Sequence, residues 1–395
     1  MQLILRIFAS LIVATLIFVS GLGVGYFLRD TILADRPAPE EAENFSLYWE
    51  VWHRVEEQFY GEVPQEPLTT YGAIKGALAT LGDPYTLFIE PEPAAQEKAQ
   101  LEGQFGGIGA FVRRDEAGQA LLEPMRDQPA EKAGIRKDDI LVAVDGKPVT
   151  AEVTTEQIVL LIRGEVGTLV VLTVERAGAD GPLDITVERA IIETPSVTWR
   201  ILEEDPTIGY IQLSVFTERS NTEMGQAFAE LSQAGATSYI FDLRNNGGGL
   251  LEAAVDIASQ FLRDGIVLRE DRKYEGERVY DVRGNGQALD QPVVLLVNGG
   301  TASASEIVAG ALQDYDRATL IGEKTFGKGS VQLIYELSDA SRLHVTVAKW
   351  FTPHNHAIDG IGLVPDVEIL PSEEEQASGR DVQLERAITF LQNGN

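Results

Sequence analysis

Val297-Asn-Gly-Gly-Thr-Ala-Ser-Ala-Ser-Glu-Ile307, followed by Gly322-Glu-Lys-Thr-Phe-Gly-Lys-Gly-Ser-Val-Gln332, decides how this chain is read. The run Pro292–Asn298 is apolar and β-branched, which predicts a buried strand. Gly299, Gly300 and Thr301 break it, and Ser303–Asp314 then has helical periodicity, with Ile307, Val308, Ala311 and Leu312 as the apolar set. Ser303 therefore sits on a strand-to-helix turn. Free N–H groups and the positive end of a helix dipole favour developing negative charge there, as acyl transfer requires. A hydroxyl nucleophile needs a base, and the nearby titratable signal is the glycine-flanked Lys328, 25 residues further on. An ordinary lysine has a pKa of about 10.4, so a base near neutral pH needs a depression of roughly three units by desolvation. Gly327 and Gly329 let backbone crowd the amine. Taken alone, a serine at a helix start is also a common N-cap.

Outward from this stretch, strands and helices alternate: strand Ile208–Phe216, helix Thr222–Gln233, strand Ser238–Leu243 and helix Leu250–Leu262. Strands Thr319–Gly322, Ser330–Leu337 and Leu343–Trp350 follow, and Asp381–Asn393 closes the chain as a helix. The fold class expected is an α/β (α+β) core of strand-helix repeats. Asn245, Asn246 and three glycines separate a strand from a helix; glycine lets the N–H of Gly249 approach a substrate oxygen closely.

Residues 103–190 differ in character, with short strands at Ile108–Arg113, Ile140–Asp145, Leu169–Glu175 and Leu183–Val187 and a helix at Thr154–Arg163. Gly106-Gly-Ile-Gly-Ala110 and the long run Pro129–Gly146 make this segment resemble a PDZ domain. The resemblance implies that backbone N–H groups around Gly107, Ile108, Gly109 and Ala110 hold a peptide's terminal carboxylate. The peptide would add as a strand along Ile108–Arg113, facing Ile158 and Leu161 of the helix.

Together with Asp242-Leu-Arg-Asn-Asn-Gly-Gly-Gly-Leu-Leu251, the two opening motifs closely resemble the carboxyl-terminal processing (tail-specific) proteases, serine endopeptidases with a Ser/Lys dyad. The resemblance runs from about Phe45 to Ile369 and includes Leu81-Gly-Asp-Pro-Tyr-Thr86. It implies Ser303 as nucleophile, Lys328 as general base, Gln332 as the residue positioning that lysine, and the amides of Gly249 and Ala304 as oxyanion donors. Arg163 matches an arginine that links the PDZ domain to the active site in some members. One departure is Gly247, at a position often held by proline, which changes loop stiffness rather than chemistry. The implied partners are proteins or peptides bound through their C-termini, with no metal or cofactor; a homo-oligomer stays open.

The rest of the sequence sets bounds. The 395 residues carry 61 acidic and 32 basic side chains, a net charge of −29, without the basic stripe that nucleic acid requires. The absence of cysteine excludes disulfides and a thiol nucleophile. Ile7–Leu28 is 22 residues without a charge, about 33 Å as a helix, and predicts an uncleaved membrane anchor in preference to a signal peptide. The short tail before it and the family resemblance place the body outside the cytoplasm, periplasmic or at the cell surface. The expected domains are an anchor or signal sequence at 1–30, a linker at 31–43, a helical region at 44–102, the PDZ segment at 103–190 and the protease core at 191–395. In the helical region, the stripes Leu47, Val51, Val55, Phe59 and Tyr71, Ile74, Leu78, Leu81 are expected to be core.

Competing readings are weaker. Gly322–Lys328 fails as a phosphate-binding loop, because Gly329 replaces the Mg²⁺-binding hydroxyl and a strand follows where a helix should. His354 and His356 offer two ligands at most and are expected to be solvated. His344, with no evident carboxylate partner, is the least implausible histidine base. Asp314 lies about 16 Å along the helix from Ser303, so it is expected to support the fold. Ser305 is the rival nucleophile. The alternative function is a catalytically silent scaffold in which only the PDZ segment captures C-termini.

Overall fold

The computed structural model describes residue 43 and residues 45–393, except 116 and 194. The expected anchor at Ile7–Leu28 and nearly all of the linker lie outside the described residues. Among the described residues no helix is long and apolar enough to cross a membrane. The chain forms two compact units that divide between Ala73 and Ile74.

In the first unit, helix α1 (Ser46–Gln58) is followed by α2 (Leu68–Ala79), which runs across the division. The expected core stripe of α1 is overturned: none of its residues is buried, and Leu47, Val51 and Phe59 are exposed. Periodicity marks which face is apolar, not that a partner covers it.

The second unit opens with β1 (Leu87–Ile89) and α3 (Pro91–Leu101). A β-rich domain follows: β2 (Gln104–Gly107), β3 (Ala110–Arg114), β4 (Ala120–Pro124), α4 (Pro129–Ala133), β5 (Asp139–Val144), β6 (Lys147–Pro148), α5 (Thr155–Ile162), β7 (Leu169–Glu175) and β8 (Leu183–Glu188). Its sheet has the order β3-β4-β5-β7-β8, with β6 paired to β5. Its own core includes Leu122, Leu141, Ile158, Val170, Leu172 and Val174. Thr154 caps α5 reciprocally with Gln157, so the helix begins where its sequence says it should. The entering and leaving segments pair with each other, β2 against β9 (Ala190–Glu193), in a two-stranded ribbon.

Beyond it come β10 (Val197–Ile201), β11 (Ile208–Leu213), α6 (Ser220–Gln233), β12 (Ser238–Asp242), α7 (Leu251–Ser259), β13 (Ile266–Arg272), β14 (Gly276–Asp281), β15 (Val293–Val297), α8 (Ala304–Asp314), β16 (Thr319–Gly322), β17 (Ser330–Glu336), β18 (Arg342–Phe351), β19 (Val367–Glu368), α9 (Glu373–Ser378) and α10 (Val382–Asn393). The central sheet has the order β10-β11-β12-β15-β16-β19 and is parallel from β11 onward. Both faces are covered, so every residue of β12 and β15 is buried, and β15 reads as an unbroken apolar run. Val293, Leu295 and Val297 join α6, α7 and α8 in the larger core. Val294 and Leu296 face the opposite way, into a cluster with Ala387, Leu384 and Ile388 of α10. Arg244 ties α10 down, donating to both carboxylate oxygens of Asp381 at 2.8 Å while it also bonds Asp242.

A second, antiparallel sheet centres on β18, with β17 along one edge and β1 and β13 end to end along the other. The β13–β14 hairpin and β1 were not expected from the sequence; β1, in a segment expected to be helical, is held by its pairing to Arg342–His344.

Candidate active site

The parallel order brings the carboxyl ends of four adjacent strands, β11, β12, β15 and β16, to one edge of the sheet. Open α/β sheets build their sites at that edge. The segments that follow carry Phe216, then Asn246 to Gly249, then Ser303, then Lys328.

Ser303 sits just before α8, with φ 56° and ψ −117°. A serine in this region is strained by about 1–3 kcal/mol, so the surroundings must hold it there. They do so through Glu306, which has no exposed surface. Its carboxylate accepts the Ser303 N–H at 2.9 Å, the Thr325 hydroxyl at 2.6 Å, the Gly327 N–H at 2.7 Å and the Lys328 N–H at 2.9 Å. One buried side chain thus joins the Ser303 turn to the Lys328 loop. The Ser-x-x-Glu spacing was the available signal, since it places a carboxylate in the first turn of a helix; the reading from sequence passed it over.

Asn246 fixes the adjoining loop. Its side chain donates to the Leu213 carbonyl and accepts from the Gly248 N–H at 2.9 Å, while its own carbonyl accepts from Ala302 N–H and the Ser305 hydroxyl. Ser305 is therefore committed to structure and faces away from any substrate. Gly248, at φ 106°, lies where a Cβ would come within 2.9 Å of the Ser303 Cβ, so this position has no room for a side chain. Gly249 is exposed and Ala304 begins α8. Neither N–H is used in a hydrogen bond among the described residues.

Lys328 is half-buried, and burial pushes its amine below the ordinary lysine value against the opposing pull of the Glu97 and Asp83 carboxylates. Its Nζ lies 4.9 Å from the centre of the Tyr85 ring. An aromatic ring, in addition to the flanking glycine backbone, faces the amine. The Lys328 carbonyl accepts from the Trp350 indole at 3.0 Å, which anchors the loop to β18. Among the described residues the Ser303 hydroxyl and the Lys328 amine are not hydrogen-bonded to each other. Gln332 is also not bonded to Lys328; its amide donates to the Ser330 hydroxyl at 2.8 Å and reaches Thr346 Oγ1 at 3.4 Å.

His344 has a carboxylate partner after all, Glu97 of α3 at 3.1 Å, which pairing across distant sequence hid from the linear reading. His354 and His356 are exposed, as expected, and Asp314 also contacts their loop. Asp314 accepts the His354 N–H at 2.7 Å and contacts His356 Nδ1 at 3.0 Å, organising the loop after β18. No group of three metal-binding side chains occurs among the described residues. Beside the site, a cavity of about 590 Å³ is lined by Leu250, Leu251, Tyr280, Val331, Gln332 and Leu333 with several charged residues.

In the β-rich domain, Gly107 ends β2, Ile108 and Gly109 make the turn, and Ala110 begins β3. Gly109 has φ 68° and no space for a Cβ beside Gln128. The N–H groups of Ile108 and Gly109 have no acceptor among the described residues. Among the described residues, β3 is the sheet edge and pairs with β4 alone. It starts at Ala110 rather than Ile108, and Ile158 is fully buried, so Ile158 supports the α5 side of the groove rather than lining it. Arg163 follows the last residue of α5, with an extended backbone.

Residues 207–369 match the model of peptidase family S41, and residues 122–176 match that of the PDZ domain. The chain is 37% identical over 350 residues to a carboxyl-terminal-processing protease of Synechocystis sp., covering 87% of this chain and 82% of the relative. It is 34% identical to the carboxy-terminal processing protease CtpA of Bacillus subtilis, covering 91% and 76%. A solved structure from Bacteroides fragilis, assigned to the S41 proteases, aligns with a TM-score of 0.52 at 16% identity over 88% of this chain and 97% of its own, a likeness of fold. The chain belongs to the carboxyl-terminal processing proteases of peptidase family S41, serine peptidases, and carries a PDZ domain.

Proposed function

We propose that Ser303 and Lys328 form the catalytic dyad of a membrane-anchored endopeptidase that cleaves proteins near the C-terminus. The observation that carries this reading is the convergence of Ser303, Thr325, Gly327 and Lys328 on the single Glu306 carboxylate, which makes the two loops one rigid unit. The neutral Lys328 amine takes the proton as the Ser303 oxygen attacks the peptide carbonyl. The amides of Gly249 and Ala304 receive the oxyanion. Lys328 then protonates the leaving amine, and water resolves the acyl-enzyme. Gln332 orients the amine in the reactive arrangement. The cavity beside Leu250 and Gln332 receives substrate side chains.

The PDZ domain delivers the substrate. Its C-terminal carboxylate meets the free N–H groups at Ile108 and Gly109, and the preceding residues pair with the open edge of β3. Arg163, at the end of α5, conveys occupancy to the protease core. Residues Ile7–Leu28 hold the protein to the membrane with the body outside the cytoplasm.

The test is hydrolysis of an unstructured protein by the chain from Glu41 onward, across pH 6 to 10. Ser303→Ala and Lys328→Ala should each abolish it, and the parent should show a rising limb below the ordinary lysine pKa of about 10.4. Near-normal activity in Lys328→Ala would place the base elsewhere. For Arg163→Ala, turnover should fall while peptide binding persists; unchanged turnover would remove the assigned link.

A further inference from the structure

Asp83, Pro84, Tyr85 and Thr86 lie far in sequence from the four segments of the site, yet they reach it. Asp83 accepts the Tyr85 N–H at 3.1 Å and the Thr86 hydroxyl at 2.6 Å, a turn in which the carboxylate sets the backbone of both residues. Thr86 Oγ1 in turn accepts the Thr346 N–H at 3.0 Å. β1 extends that hold by pairing with Arg342–His344. Tyr85 is therefore held in the turn that leads into the antiparallel sheet, and its ring stands 4.9 Å from Lys328 Nζ.

The face of an aromatic ring attracts a cation and offers little to a neutral amine. The ring thus favours the ammonium, the form that cannot accept a proton from Ser303. We propose that Tyr85 is a positioning residue that holds the Lys328 ammonium off Ser303 in the resting enzyme, so that substrate engagement must draw the amine from the ring before chemistry begins.

This rests on the dyad reading above. The charged groups around the lysine are Glu97, paired to Arg342 and His344; Asp83; Glu306, occupied by its donors; and Asp359 near Tyr85, ion-paired to Lys349. All are carboxylates that favour the same charged state; replacing Tyr85, unlike replacing any of them, leaves the charge around the lysine unchanged.

The experiment is the pH profile of kcat/KM, which reports the free enzyme, for the parent, Tyr85→Leu, Tyr85→Phe and Lys328→Ala. In Tyr85→Leu the rising limb should move to lower pH by about 0.5–1 unit, with roughly three- to tenfold higher kcat/KM below the limb. Tyr85→Phe, which keeps the ring, should keep the parent's limb. Replacing Tyr85 by trifluorophenylalanine preserves shape while weakening the ring's negative face, so the limb should again move down even if the leucine variant folds poorly. A limb that stays or moves up in the leucine and fluorinated proteins overturns the proposal. If that happens while Lys328→Ala is inactive, the dyad stands and this role of Tyr85 alone falls. If Lys328→Ala keeps the parent's rate and limb, the dyad falls and this proposal falls with it.

Discussion

The loops carrying Ser303 and Lys328 and the edge of the PDZ domain treat backbone polar groups in opposite ways. Around Ser303, donors from two loops converge on Glu306, and Asn246 links the neighbouring loop to the same turn. Among the described residues, the N–H groups of Ile108 and Gly109 have no acceptor and one edge of β3 is unpaired. Buried backbone groups left unmatched are costly, and the unpaired donors of the PDZ turn suit a ligand that completes them. In the function proposed above, the first region fixes where chemistry happens and the second leaves a place to be filled.

The largest effect expected from breaking that contrast is at the centre of the fixed region. Ser303→Ala should lower kcat by a factor on the order of 10⁴–10⁶, measured on a protein substrate. Glu306→Gln should follow, because an amide places N–H donors against donors. Activity should drop by about 10²-fold or more, and denaturant unfolding should show a loss of about 2–4 kcal/mol. A Glu306→Gln protein with parental stability would mean that the carboxylate does not hold the loops.

The region to be filled should respond differently. In Gly109→Val the side chain meets Gln128 and the turn must move. Titration with peptides ending in a free carboxylate or an amide should show the parent's preference for the carboxylate, by about tenfold, and its loss in the variant. Equal binding of both peptides by the parent would remove the carboxylate-binding role from this turn.

The smallest effect concerns stability and pH. Because burial depresses the Lys328 pKa, the unfolded chain binds more protons than the folded one between the depressed value and about 10.4, so this residue's contribution to stability rises with pH across that window. Lys328→Met should accordingly melt a few degrees higher than the parent at pH 7, with the gain shrinking toward pH 10. A gain that grows with pH would contradict the assigned direction.

What was legible in the sequence follows from the physics of each element. β15, the turn at Ser303 and α8 were readable because a doubly covered strand is uniformly apolar and Gly299-Gly300-Thr301 interrupts it sharply. The PDZ helix expected at Thr154–Arg163 was legible because its start is set locally, by the reciprocal cap of Thr154 and Gln157 that the structure shows. The β13–β14 hairpin was not, because Arg269, Glu270, Asp271, Arg272, Glu275 and Glu277 obscure any alternation and their pairing is decided by ion pairs and by β18. Glu306 could be seen as a first-turn carboxylate, but its reach to Gly327 and Lys328 depends on the parallel register of β15 and β16. Tyr85 and Glu97 approach the lysine only through the pairing of β1 with β18 and the packing of α3, contacts of very long sequence separation. The stripe of α1 shows the converse failure, a helical pattern without burial.

The most direct test of the central claim is the rate of covalent labelling by a fluorophosphonate, followed against pH in the parent and in Lys328→Ala, with the modified residue identified by mass spectrometry. A single adduct on Ser303 is expected, with a labelling rate that rises through a pKa below about 10.4 and a loss of about 10²-fold or more, together with that limb, in Lys328→Ala. An adduct on another residue, or equal labelling of the two proteins at every pH, would contradict it.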